Sequence, residues 1–192
     1  MDHAFRNGLI LDGTRDMKIQ KGLCILVHDG IIADIVPDTA DLDLSGYDVI
    51  DLHGRYILPG LINMHVHLAG NGKPQKKQRD NEKLVKNIMS TSLTRAIAYK
   101  MVAGFAKDEL LGGVTTIRTV GGLADFDTRL RDEIESGAKT GPRILAANQG
   151  ISVPGGHMAG SVAVAAASIP DALRQLEKSK EEKQASKQAK TN

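Results

Sequence analysis

The chain changes its hydrophobic period at Pro59-Gly60, and that break constrains the fold more than any other feature. Upstream, short apolar runs are punctuated by turn dipeptides. Gly8-Leu9-Ile10-Leu11 ends at Asp12-Gly13, Leu23-Cys24-Ile25-Leu26-Val27 at His28-Asp29-Gly30, and Ile31-Ile32-Ala33-Asp34-Ile35-Val36 at Pro37. Asp-Gly between two apolar runs marks a β-hairpin, because glycine supplies the positive φ that a two-residue turn needs. Tyr47 to Leu52 and Arg55 to Leu58 flank His53-Gly54 in the same manner. Residues 1–60 therefore predict a small antiparallel sheet.

Downstream the elements alternate. Leu61 to Leu68 reads as a strand, followed by a loop around Gly70-Asn71-Gly72-Lys73-Pro74. Across residues 81–111 apolar side chains recur at helical spacing (Leu84, Ile88, Ala96 with Ile97, Met101), which predicts one long helical stretch closed by Gly112-Gly113. Val114 to Val120 is β-rich, a helix is expected from about Ala124 to Glu135, Arg143 to Asn148 is a further strand, and a helix starts near Pro170. Strands alternating with helices predict βα units on a parallel sheet, so the fold class is α/β. Beyond Lys183 nothing apolar larger than Ala remains, and residues 184–192 are expected to form a frayed, disordered polar tail. No internal repeat is visible.

Composition narrows the function classes. Hydrophobic residues make up 41% and charged residues 25%, close to the globular average. A net charge of +2 gives no electrostatic footprint for nucleic acid or an anionic membrane. No apolar run approaches the ~18 residues of a spanning helix. The start of the chain lacks the pattern of a secretory signal, and a lone cysteine, Cys24, suits a reducing compartment. The expectation is a cytoplasmic protein. With three Tyr, three Phe and no Trp, the core must be aliphatic.

His65 and His67 are the pair with chemical potential. Alternate residues of a strand share a face, so His-x-His aims both imidazoles the same way, and two neutral imidazoles can ligate one divalent metal. A chance pair on a solvated strand face is the competing reading. His3 reads as a terminal residue, and His28 and His53 as turn or surface residues. Cys24, inside an apolar strand, reads as core rather than nucleophile. Gly121-Gly122 and Gly155-Gly156 lack the Lys-Ser/Thr continuation of a phosphate loop and read as plain loop glycines.

The segment from Asp51 through Leu58-Pro59-Gly60-Leu61-Ile62-Asn63-Met64-His65-Val66-His67 resembles a junction of the amidohydrolase superfamily. There a small β-sandwich hands over to the first strand of a (β/α)8 TIM barrel. Val27-His28-Asp29-Gly30-Ile31-Ile32-Ala33-Asp34-Ile35 resembles that superfamily's N-terminal sandwich, and Gly112-Gly113-Val114-Thr115-Thr116-Ile117-Arg118 its second barrel strand. Ile151-Ser152-Val153-Pro154-Gly155-Gly156-His157 resembles a loop at the barrel mouth in the imidazolonepropionase and prolidase-like branch. The resemblance implies an N-terminal sandwich part over 1–60 and about three βα units of an incomplete barrel over 61–183. It implies a divalent metal, zinc by preference, held by His65 and His67, with His157 and Arg118 near the substrate. The implied reaction is cleavage of a C–N bond in a small amide, cyclic amide or dipeptide by metal-activated water. Where the family pattern leads us to expect an acidic residue, this chain has Thr119.

A complete barrel takes about 250 residues, and three strands rather than eight are legible here. The resembling enzymes take their remaining ligands from later strands: a lysine or acidic residue, two histidines and an aspartate. The expectation is therefore a chain that is truncated and inactive alone. Its partners would be a small-molecule substrate and either a further copy of itself or a missing C-terminal portion. The alternative is a non-catalytic fragment acting through subunit or partner binding.

Overall fold

The protein is described by a computed structural model covering residues 1–70, 72 and 80–188, with side chains described through 181. The chain divides into two units, Met1–Pro59 and Gly60–Asn192.

The first unit holds β1 (His3–Arg6), β2 (Leu9–Ile10), β3 (Leu23–His28), β4 (Ile31–Pro37), β5 (Asp48–Asp51) and β6 (Tyr56–Ile57). Four of them form a sheet in the order β4-β3-β1-β5, and β2 pairs with β6 separately. The β3–β4 hairpin turns through Asp29 (φ 47°) and Gly30 (φ 78°). Both central residues carry the positive φ that such a turn demands. His53 and Gly54 also have positive φ, but they do not close a hairpin. Instead β5 runs parallel to β1, and β6 parallel to β2. The sheet is thus mixed rather than antiparallel: a period-2 pattern selects which side chains face inward, not which strand is the neighbour. Ala4 and Cys24 are fully buried, and Ile10 and Ile25 are buried too. Burial pushes the Cys24 thiol up, so it is a core residue with little thiolate.

The second unit contains β7 (Leu61–Val66), α1 (Asn81–Ile88), α2 (Ser92–Leu111), β8 (Val114–Thr119), α3 (Phe126–Glu135), β9 (Arg143–Leu145), β10 (Gly150–Ser152), β11 (Ala163–Ala165) and α4 (Ile169–Gln188). Strands β7, β8 and β9 form one sheet in that order, parallel throughout. Val66, Ile117 and Ile144 are buried in one cluster with Val102 and Ala106 of α2 and Phe126 and Leu130 of α3. Tyr99 of α2 is nearly buried, donates to Glu133 of α3 at 2.8 Å and lies under the Arg129 guanidinium at 4.0 Å. Burial and the Glu133 carboxylate push its ionisation up.

Three sequence expectations change here. The single long helix over 81–111 is two helices, because Thr91 caps a new one by accepting from the Thr94 amide at 3.1 Å. A hydroxyl one residue before an apolar-periodic run starts a helix more readily than it continues one. Two short parallel strands, β10 and β11, lie in stretches too small-residue-rich to read as β. The last helix runs to Gln188, past Lys183 where a frayed tail was expected, because Glu, Lys, Gln and Ala are good helix formers even without a face to bury. The loop expected around Gly70–Pro74 falls largely on residues 71 and 73–79, and the end of the tail on 189–192, all outside the described residues.

Helix α3 starts without a cap of its own, since Asp125 makes no side-chain capping bond. Asn148, just past β9, takes the role: its Oδ1 accepts from the Thr128 amide at 3.0 Å and the Thr128 hydroxyl at 2.8 Å. Asn148 is buried at φ 61°, a left-handed conformation that asparagine adopts more readily than most residues.

Candidate metal centre

His65 lies on β7 and His67 one residue beyond its end. The flanking Val66 and Leu68 are buried in the helix-covered core, whereas both histidines are exposed. Strand alternation thus sends the imidazoles to the face opposite Val66 and Leu68. A register shift between Asn63 and Val66 distorts the pairing with β8 at this point, and the Asn63 side chain accepts from the His65 amide at 3.2 Å.

The two rings meet edge to face, with centroids 5.2 Å apart and planes at 73°. Their Nε2 atoms are 3.3 Å apart. His67 Nδ1 lies 3.1 Å from the Gly121 carbonyl oxygen. A carbonyl only accepts, so Nδ1 carries the proton, and the Nε2 lone pair of neutral His67 faces its neighbour. Glycine at 121 keeps this contact unstrained: a Cβ there would lie 3.2 Å from Nδ1 and 3.3 Å from Cε1, and its φ is 151°.

Two nitrogens each about 2.0–2.1 Å from a tetrahedral metal lie about 3.3–3.4 Å apart. The observed 3.3 Å matches that edge. A ring whose other nitrogen donates to a backbone carbonyl is oriented as metal-ligating histidines usually are. The residues therefore fit a divalent metal, as two of its ligands. Asp108 and Glu109 of α2 line the same cleft, of about 690 Å³. Among the described residues, however, no group of three or more His, Cys, Asp or Glu is placed to hold a metal.

Neither of the other expected site residues, Arg118 and His157, is among the described residues lining that cleft. Arg118, on β8, is exposed and lines a different groove, with Arg143 of β9 and Arg131 of α3. Its neighbour Thr119 is fully buried, and its hydroxyl accepts from the Ala147 amide at 3.0 Å, tying β8 to the segment after β9. Where an acidic residue was expected, then, a hydroxyl joins two chain segments. His157 is exposed in the turn between β10 and β11, and its chain neighbour Met158, rather than His157 itself, lines a cavity that His67 also lines. Sequence reasoning passed over Asn63, Gly121 and Asn148. Gly121 reads as an ordinary loop glycine, and only its proximity to His67 gives it a role. Asn148, directly after an apolar strand, was the one of the three with a local signal for left-handed backbone.

Comparison with known proteins defines the class. The fold is a mixed α/β arrangement shared with solved amidohydrolases and prolidases. One such prolidase, complexed with N-methylphosphonate-L-proline, superposes with a TM-score of 0.75 over 95% of this chain and 44% of its own, at 18% identity. A putative prolidase from Bifidobacterium longum matches 94% of this chain and 38% of its own, with a TM-score of 0.70 and 27% identity. In sequence, the imidazolonepropionase of Salmonella paratyphi A is 32% identical over 146 residues, covering 65% of this chain and 36% of the relative. Residues 56–191 match the amidohydrolase family, and the chain belongs to it. Members of that family generally use divalent metals. The chain spans a little over a third of the length of the curated relatives it matches.

Proposed function

We propose that this chain supplies the first metal ligands of a hydrolase that cleaves C–N bonds in a small amide, cyclic amide or dipeptide. The observation that carries the reading is the 3.3 Å convergence of His65 Nε2 and His67 Nε2, with His67 Nδ1 held by the Gly121 carbonyl. Zinc is the preferred metal, because two imidazole nitrogens at a tetrahedral edge suit it. A bound divalent ion would supply Lewis-acid polarisation of a substrate carbonyl and acidify a water for attack. The chain's own residues contribute placement. Asn63 braces the His65 backbone, Gly121 fixes the tautomer and tilt of His67, and the buried Val66 and Leu68 anchor the strand between them.

The parallel sheet is read as the first three βα units of a (β/α)8 barrel, with residues 1–60 as part of a β-sandwich. Among the described residues, strands β7 and β9 are the outer members of the sheet and pair on one side only. Further strands at those edges would carry the remaining ligands, so these 192 residues alone should hydrolyse little. The same two edges support the second reading, a subunit that acts by pairing with another chain. Zinc titration against a chromophoric chelator tests the first reading. Zinc uptake that falls at least tenfold in His65→Ala and in His67→Ala is expected, with the side-chain nitrogen NMR signals of both histidines shifting on addition of metal. Zinc affinity unchanged by either substitution would defeat it.

A further inference from the structure

Two adjacent glycines, Gly121 and Gly122, carry the chain from β8 toward α3, and both are buried. A Cβ at Gly121 would meet the His67 ring, 3.2 Å from Nδ1. A Cβ at Gly122 would meet the Asp127 carboxylate, 2.6 Å and 2.7 Å from its two oxygens and 2.9 Å from Cγ. The φ of Gly122 is not positive, so there the space alone calls for glycine. Asp127 is only 1% exposed and sits in the first turn of α3, where the helix dipole and the unpaired amides of the turn favour a negative charge. The backbone that carries it is held on both sides. The Phe126 amide donates to the Leu123 carbonyl at 3.0 Å, and the Thr128 amide to Asn148 at 3.0 Å. The one peptide unit between the two glycines is therefore enclosed at both ends. Its carbonyl oxygen, that of Gly121, lies 3.1 Å from His67 Nδ1, and its Gly122 end rests against Asp127.

From this geometry we infer that Asp127 is a positioning residue for His67: its buried carboxylate holds the Gly121–Gly122 peptide in the orientation that presents the Gly121 carbonyl to Nδ1. Two successive glycines are the least restricted dipeptide a chain contains, because neither has a Cβ to limit φ and ψ. A carbonyl on such a segment orients a ring only if the segment is itself held. Removing the carboxylate leaves a void beside Gly122, and the peptide is free to turn into it. The Gly121 carbonyl then leaves Nδ1, the proton of His67 is no longer confined to that nitrogen, and the Nε2 lone pair is no longer fixed toward His65. Asp127 acts through the peptide and the ring, from a helix that supplies neither proposed ligand. Its effect on zinc rests on the reading of His65 and His67 as ligands, whereas its effect on the His67 proton belongs to the metal-free chain.

The test uses the full 192-residue chain. Side-chain nitrogen NMR of the metal-free chain, well above the ordinary histidine pKa of about 6.5, reports which nitrogen of neutral His67 carries the proton. The wild type should show it on Nδ1. In Asp127→Ala the two nitrogen signals of His67 should move toward each other as the proton divides between them. Zinc affinity should fall about tenfold, the lower end of the range for losing an outer partner of a ligating histidine. Asp127→Asn, of the same shape, should restore most of both. Gly122→Ala, which drives a methyl group into the place of the carboxylate, should shift the His67 signals as Asp127→Ala does, and it carries the test if Asp127→Ala does not fold. Ile134→Ala, which loosens α3 from its apolar side, should leave those signals unmoved. Circular dichroism verifies the fold of each variant. The inference is overturned if a folded Asp127→Ala or Gly122→Ala chain keeps the wild-type His67 signals, if Asp127→Asn is as damaging as Asp127→Ala, or if Ile134→Ala moves the signals as far. Zinc uptake is followed separately. A chain that shows these shifts but takes up no zinc would sink the metal reading and leave the positioning role of Asp127 standing.

Discussion

Gly121→Ala isolates the contact that orients His67. The new Cβ would stand 3.2 Å from Nδ1, 3.3 Å from Cε1 and 3.4 Å from the Val162 carbonyl oxygen. The first two separations are tighter than ordinary van der Waals contact, so the ring must give by a few tenths of an ångström. The hydrogen bond it would strain is 3.1 Å long and weakens as the ring moves off. A backbone partner that orients a metal-binding histidine is worth about 10–100-fold in metal affinity, or about 1.4–2.7 kcal/mol. The expected result is zinc affinity reduced by that factor in Gly121→Ala, less than or equal to the loss in His67→Ala. The assay is competition with a chromophoric chelator, run beside circular dichroism to verify that the chain stays folded. A φ of 151° also strains alanine, so some loss of stability is expected and has to be separated from the loss of affinity. A folded Gly121→Ala chain that binds zinc as tightly as the wild type would refute the proposal that the Gly121 carbonyl sets the His67 ring for a metal.

Two further predictions concern stability. Asn148→Gly removes the cap of α3 and the acceptor of the buried Thr128 hydroxyl, but it also removes an amide nitrogen that is buried with no partner among the described residues. The net cost should be about 1–3 kcal/mol. Asn148→Ala should cost about 1 kcal/mol more, because alanine resists φ 61°. Urea midpoints would measure both, and equal costs for the two variants would contradict the backbone argument. In the first unit His28 Nδ1 lies 2.7 Å from Asp2, which raises the His28 pKa above its ordinary value and lowers that of Asp2. This pair stabilises below the unfolded histidine pKa of about 6.5 and above the unfolded aspartate pKa of about 3.9. It is lost as pH rises through the raised His28 pKa, and as pH falls through the depressed Asp2 pKa. Wild type should therefore melt above His28→Gln at pH 5–6, and that advantage should shrink toward zero above pH 8. An advantage that grew with pH would reverse the assigned sign.

The sequence by itself determined what local chemistry can determine. The Asp29-Gly30 turn, the alternation that puts Val66 and Leu68 on one face and His65 and His67 on the other, and the βα order of the second unit all follow from short-range preferences of a few neighbouring residues. Those preferences are strong because a wrong φ or a reversed face would bury polar groups or expose apolar ones at once. The break at Thr91 was legible in principle, since a capping hydroxyl is a local signal, but the apolar spacing on either side concealed it. Tertiary structure alone decided pairing and proximity. It decided that β5 and β6 run beside β1 and β2 rather than beside each other, that Asn148 caps a helix starting more than twenty positions earlier in the chain, and that Gly121 touches His67 across 54 residues of sequence. These outcomes depend on which distant surfaces meet when the chain closes on its core, and a linear pattern carries side-chain character along the chain but not the distances between its remote parts.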